Sequence, residues 1–249
     1  MKVFAIGLAL SLPLWAFSQS TTPRPAPQKP SVQQIRPDLV ASPPGGNEDE
    51  QKMKMEMDRE MEENGRHLEP AERGGGRPYR ELLNESEHVS SRHFSERDLE
   101  PHFLSTLLWE VASARKEEGK YREARGVDVY VLTKEGIFLY DNRRQMLQPI
   151  VEGKDARKSI LSPENLFAEK APIILVYVAN AKKQTRLPAD KKDFYAAMDC
   201  GIASQMAYFF CASENLVTTT LEIDPIVVGK VLELKNGDKA LLAQPVGVR

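Results

Sequence analysis

Few residues in this chain are placed to do chemistry. Its four histidines stand at positions 67, 88, 93 and 102, all ahead of the β-rich part of the chain, so a Ser/His/Asp arrangement would have to borrow one of them from the N-terminal helices. His88 and His93 flank a small polar cluster, HVSSRH, but a zinc site needs two further ligands that the sequence does not supply at the usual spacing. The cluster reads as a polar loop or a helix cap. No P-loop and no G-x-G-x-x-G is present, which removes the commonest nucleotide cradles. The two cysteines, Cys200 and Cys211, both fall in the apolar string FYAAMDCGIASQMAYFFCASEN. On one helix they would stand about 16 Å apart along the axis. A disulfide needs Cα atoms within about 7 Å, so they read as buried structural thiols. The residues by themselves assign no catalytic side chain and no metal ligand.

The elements that must position any site begin late in the chain. Residues 1–18 place one Lys before an apolar run from Val3 to Leu14 and small residues near Ala16 and Ser18, the pattern of a secretory signal peptide. The run falls short of the ~20 residues that span a bilayer. A secreted or periplasmic protein with no integral membrane segment after cleavage is therefore expected. Residues 19–78 read as a disordered linker, Pro-rich and then charged, with seven prolines between 21 and 47. Within it, EDEQKMKMEMDREMEE sets Met53, Met57 and Met61 at i, i+4 spacing, suited to a short exposed helix with an apolar stripe. NES at Asn84 matches a glycosylation sequon.

The packed domain is expected over 79–249. PYRELLNESE and SERDLEPHFLSTLLWEVASARKEEG read as helices, the second with Phe103, Leu104, Leu107, Leu108 and Val111 on one face. VDVYVLT and GIFLYD, separated by KEG, read as a hairpin, and QMLQPIV as a third extended piece. APIILVYVA is an almost unbroken apolar strand, as at the centre of a sheet covered on both faces. The longest helix is expected from about Asp190 to Asn215, and Asp224 with Pro225 marks the start of another. KALLAQPVGV closes the chain as a strand. This order predicts an α+β sandwich around one sheet. A formal charge of −2 with interspersed signs gives no nucleic-acid surface.

Four segments carry a resemblance to a known family. LSTLLWEVASARKEEGK is similar to a helix that usually reads L-x-x-L-L-W-A-A-x-G-x-N-R, and VDVYVLTKEGIFLYD resembles the hairpin that follows it. APIILVYVAN looks like the central strand, and DFYAAMDCGIASQMAYFFCASENL is close to the long helix. The family is the nitroreductases, especially the branch related to the peptide thiazoline and oxazoline oxidases. The resemblance covers roughly residues 80–249 and implies an α/β/α sandwich with a central, mostly antiparallel sheet. It also implies a homodimer that binds FMN at the subunit interface and passes hydride from NAD(P)H to a small-molecule acceptor such as a nitroaromatic or quinone.

The resemblance also assigns site residues. The family grips the flavin phosphate with R-R-S-x-R, and laid on HVSSRHF this pattern puts the Ser on Ser90 and the last Arg on Arg92, with His88 at the first basic position. Gln205 matches the Gln of the family's long-helix pattern, beside Met206 where Asn is usual. Two further departures stand out. The loop that usually reads R-T-A-P-S-A-x-N is reduced to Tyr121–Val127, where YREAR reads as an exposed helical turn. TTTLEID lacks the Gly whose N–H usually meets the flavin ring, and no Gly lies between Gly201 and Gly229. The expectations are therefore an FMN-dependent oxidoreductase with His88, Ser90, Arg92 and Gln205 at the cofactor, or an exported, flavin-free homologue serving as a dimeric binding or scaffold module.

Overall fold

Ile173–Ala179 (β7) is seven apolar residues in a row, and every one of them is buried. A strand without alternation needs cover on both faces and a paired strand on both edges. The computed structural model supplies these; it describes residues 48–72, 78, 80–82, 89–112, 115–117, 120–122, 126–184, 187–235 and 237–249. The expected signal peptide, the proline-rich stretch, His88 and Asn84 lie outside the described residues. Val127–Thr133 (β4) lies antiparallel to β7 on one side, with Tyr130 facing Val176. Lys239–Gly247 (β9) lies antiparallel on the other, with Leu175 facing Gln244.

Gly136–Asp141 (β5), Met146–Glu152 (β6), Arg66–His67 (β1) and Val217–Thr218 (β8) complete a sheet in the order β1-β6-β5-β4-β7-β9-β8. Its ladders are all antiparallel. Alternation along β4 divides the core. Val127, Val129 and Val131 point to one side, where Pro101–Ala112 (α2) brings Leu107, Leu108 and Val111 and Lys192–Ser213 (α3) brings Cys200, Ala203, Ala207 and Phe210. Tyr130 and Leu132 point to the other side, against Ile160, Ala168 and Val228. These come from 3₁₀ helices at Arg157–Ile160 and Pro163–Lys170 and from Pro225–Val231 (α4). The result is the expected α+β sandwich, helices on both faces of an antiparallel sheet. No described helix is long and apolar enough to cross a membrane.

One buried polar chain ties the helical layer to the sheet. The Tyr177 hydroxyl donates to Gln244 Oε1 at 2.7 Å, and Gln244 Nε2 donates to the Ser204 carbonyl of α3 at 3.3 Å. Burial pushes the Tyr177 hydroxyl well above its usual pKa, so it remains a donor at every ordinary pH.

The structure adds to the expected elements and changes two of them. Within residues 48–72, which composition placed in the linker, Glu48–Asn64 forms the helix that the methionine spacing suited (α1), and β1 pairs with β6, Arg66 opposite Leu147 and His67 opposite Met146. Arg144 Nη2 reaches Asp58 Oδ1 at 3.0 Å and fastens α1 to the sheet. The sheet thus starts before residue 79. The second expected helix ends at Ala112, and Tyr121-Arg122, the described part of the expected YREAR turn, is strand. Arg115–Glu117 (β2) and Lys120–Arg122 (β3) pair antiparallel, Lys116 opposite Tyr121. The chain enters β4 through Gly126 at φ +81, whose carbonyl accepts from Asn180 N–H at 2.7 Å. A Cβ at that position would lie 2.6 Å from Gln184 Cγ, so the entry requires glycine for two reasons.

Candidate functional site

The segment that holds Ser90 and Arg92 is built against the last strands of the chain. Ser90 makes a parallel bridge with Thr218 of β8, and Ser91 N–H donates to the Thr218 carbonyl at 3.1 Å. Thr218 is itself fixed from below, because its buried hydroxyl donates to the Pro245 carbonyl of β9 at 2.7 Å. Ser90 Oγ is exposed and lies 3.5 Å from Thr219 Oγ1. Next, Ser91 Oγ accepts from His93 N–H at 3.0 Å and donates to the His93 carbonyl at 3.2 Å, which bends the chain locally. Ser95 N–H then donates to the Val248 carbonyl at 2.7 Å, so the segment runs beside the C-terminal Val248-Arg249.

This bend decides where Arg92 goes. Phe94 is buried and stacks on Phe167 with ring centroids 6.3 Å apart. Arg92 is exposed, and its guanidinium carbon sits 5.5 Å from the centroid of that same Phe167 ring. Two of the expected site residues, Ser90 and Arg92, therefore share one edge of the fold with Thr219 and Arg249.

Gln205 is placed differently. Phe194, Met198, Gly201 and Gln205 follow one another at spacings of four, three and four along α3, and all are exposed. They form one open stripe. A Cβ added at Gly201 would meet nothing within 4 Å. Among the described residues no hydrogen bond or ion pair joins Gln205 to Ser90 or Arg92. One turn further along α3, the Tyr208 hydroxyl accepts from Thr220 N–H at 3.1 Å. Leu221 N–H donates to the Ala243 carbonyl at 2.8 Å, and Ala243 N–H returns a bond of 3.2 Å to Leu221. The TTTLEID segment is thus pinned at Thr218, Thr220 and Leu221. Sequence reading missed Tyr208, Thr219 and Phe167. No local pattern marks them, since their role arises where α3 and the segment after Pro163 meet the chain ends.

The model of the nitroreductase family matches residues 86–248. The chain belongs to the nitroreductase family. Its members typically bind FMN and are commonly dimeric. A nitroreductase homologue of Methanocaldococcus jannaschii is 28% identical over 115 residues, 45% of this chain and 57% of the homologue, so the match spans little more than half of that curated relative. Among solved structures, a nitroreductase homologue of Ralstonia eutropha superposes with a TM-score of 0.66 at 23% identity, covering 74% of this chain and 89% of that one. A chain of the E. coli microcin synthetase complex, solved with truncated pro-microcin bound, superposes with a TM-score of 0.56 at 16% identity, covering 81% and 94%. Both superpositions speak to the nitroreductase fold.

The residues present fit FMN at one end of the expected site. An exposed hydroxyl at Ser90 and the exposed guanidinium of Arg92 suit phosphate oxygens. At the ring end the amides of Thr220 and Leu221 already have partners, Tyr208 and Ala243.

Proposed function

We propose that this nitroreductase-family chain is an exported oxidoreductase that works as a homodimer and holds FMN by its phosphate at the edge formed by Ser90, Arg92 and the C-terminus. The observation that carries the reading is the bridge between Ser90 and Thr218, which holds an exposed hydroxyl with a guanidinium two residues on, in a segment that runs beside Val248. When bound, FMN supplies hydride uptake from NAD(P)H and delivery to a nitroaromatic or quinone-type acceptor. The chain's own part is to bind and orient. Ser90 Oγ, already exposed, would donate to a phosphate oxygen. Arg92 would leave the face of Phe167, an exposed cation–π contact worth roughly 0.5–1 kcal/mol, for a stronger charge-assisted pair. His88 would add a third donor, and Gln205 would lie on the α3 stripe that a second protomer covers.

A flavin-free, exported module with a binding or scaffold role is the second reading. It is supported by the bond between Tyr208 and Thr220, which occupies a backbone N–H in the segment where the family directs one at the ring. Export points the same way, because NAD(P)H is not expected outside the cytoplasm. Titration of the purified chain with FMN separates the two. Binding raises stability by RT ln(1 + [L]/Kd), about 2.7 kcal/mol at a hundredfold excess over Kd. The first reading expects a rise in melting temperature and flavin absorbance retained on the protein, both lost in Ser90→Ala/Arg92→Ala. Absence of any shift at millimolar FMN would leave the second. Sequencing of the N-terminus of the exported protein checks for cleavage near Ser18.

A further inference from the structure

The opposite end of the sheet holds a second feature. β4 pairs with β7 from Val127 to Leu132, and β5 pairs with β6 from Gly136 to Asp141. Yet β4 and β5 pair with each other only between Tyr130↔Leu139 and Thr133↔Gly136. Beyond Tyr130 and Leu139 the two strands part, and the wedge between them is a cavity of about 390 Å³. That volume is at the small end of the range of about 300–1,000 Å³ for small-molecule sites.

Charge opposes closing the gap. Continued in register, Asp128 and Asp141 would stand directly opposite each other, and like charges across a ladder repel. Each is drawn away instead. Asp128 binds Lys183 Nζ at 2.7 Å and accepts from Asn180 Nδ2 at 2.6 Å. Asp141 accepts from Arg144 Nη1 at 2.9 Å and from the backbone N–H of Arg143 at 2.9 Å. Both carboxylates are thus satisfied by the walls. Two amide groups are not. Among the described residues, Gln148, only 6% exposed, lines the wedge with no partner for its Nε2, and Asn142, also on the lining, has its Oδ1 buried without a partner. One is a donor and the other an acceptor, and buried polar groups of this kind are normally paired.

We propose that the wedge between β4 and β5 is a second binding site, which takes a small carboxylic acid bearing an amide, such as an N-acylated amino acid. Its carbonyl accepts from Gln148 Nε2, and its N–H donates to Asn142 Oδ1. Its carboxylate faces Arg143, Arg144 and Lys183 on the lining, where Arg144 also pairs with Asp141 and Asp58 and Lys183 with Asp128. The site is remote from the proposed FMN edge. Thr218 pairs with Val246, which faces Ile173 at the start of β7, whereas Asp128 faces Val178, five residues or about 16 Å along the strand. Failure of FMN to bind leaves this site untouched, and the reverse.

N-acetylglycine titrated into ¹⁵N-labelled protein tests it, with the side-chain amide signals of Gln148 and Asn142 as the readout. Both signals should move and saturate in the low millimolar range. N-methylacetamide, which lacks the carboxylate, should bind about tenfold more weakly, as should N-acetylglycine to Gln148→Met. Arg143→Gln, a change at an exposed side chain, should also weaken N-acetylglycine about tenfold and serves if Gln148→Met melts early. No movement at about 50 mM N-acetylglycine, a Kd too weak to matter by affinity arithmetic, overturns the proposal. So does equal binding by Gln148→Met and Arg143→Gln. A bound-water exchange signal on both amides that persists unchanged through the titration does so as well.

Discussion

At the scale of single residues, burial and pairing fix what each polar side chain can do. Cys200 and Cys211 are free thiols buried in α3, and burial pushes Cys200 up to about 12 and Cys211 higher still. In the folded chain neither should react with a thiol reagent at pH 8, and both should react once denaturant is added; a native-state labelling time course checks this. The sign of the linkage follows. A thiol whose pKa is raised by folding contributes stability fully below its ordinary value of 9.0, and this is lost as pH rises toward about 12. Alkaline melting should therefore fall steeply in that window and less so in Cys200→Ala. Asp155 shows the opposite sign. Hydrogen bonds from Arg157, at 2.6 and 2.9 Å, hold its carboxyl below the ordinary 3.8 against a weaker upward push from burial. The pair contributes stability above that value and loses it as pH falls further. Acid melts of Asp155→Asn should show a shallower decline below about pH 4 than the parent. Arg157 itself is buried and also donates to the Ala171 carbonyl, so Arg157→Ala should cost about 2–3 kcal/mol in a denaturant titration.

At the scale of elements, short signals and long ones behave differently. Asp224 accepts from the N–H groups of Ile226 and Val227 at 2.8 and 3.2 Å with Pro225 at the first helical position, so the start of α4 was legible from two adjacent residues. Asp224→Ala should lower stability by about 1 kcal/mol, read as a shifted denaturant midpoint with unchanged slope. The seven buried residues of β7 were equally legible, because an unbroken apolar run has one comfortable place in a sandwich. The boundary after α2 was not. ASARKEEGKYREAR has helical propensity throughout, and only the pairing of Arg115–Glu117 with Lys120–Arg122 shows that a hairpin forms there. Nor was β1 legible, since Arg66 and His67 are exposed and become a strand solely by pairing with β6.

At the scale of the whole molecule, the open face of α3 is the outstanding surface. Phe194 is 67% exposed and Met198 37%, and Gly201 between them and Gln205 leaves space for a neighbour. Phe210 turns inward, at 6% exposure, edge-on to Phe103 with centroids 6.3 Å apart. Met206 and Phe209 remain half-buried. An apolar stripe of this kind is consistent with the dimer proposed above. Light scattering should give twice the chain mass, and Met198→Glu should give the single mass with its folded spectrum retained. A wild-type monomer would remove the dimer from the functional reading.

The sequence by itself determined the layers. Apolar alternation and unbroken runs settle which residues leave water, and with them the order of strands and helices, because burial of side chains is read from local periodicity. Ser90 and Arg92 were also singled out in advance, by their place in a family string. Only the tertiary structure decided what surrounds them. Thr218, Thr219, Phe167 and Arg249 come from segments far along the chain, and the choice of Arg92 for the Phe167 face or of Thr220 N–H for Tyr208 depends on distances of a few ångströms between those segments. The wedge at Asp128 and Asp141 has the same origin. Neither carboxylate is unusual in sequence, and their repulsion acts only once β4 and β5 are brought side by side. Hydrophobic burial is additive along a chain and so can be read from it, whereas hydrogen bonds and charge pairs depend on where the fold brings their two halves.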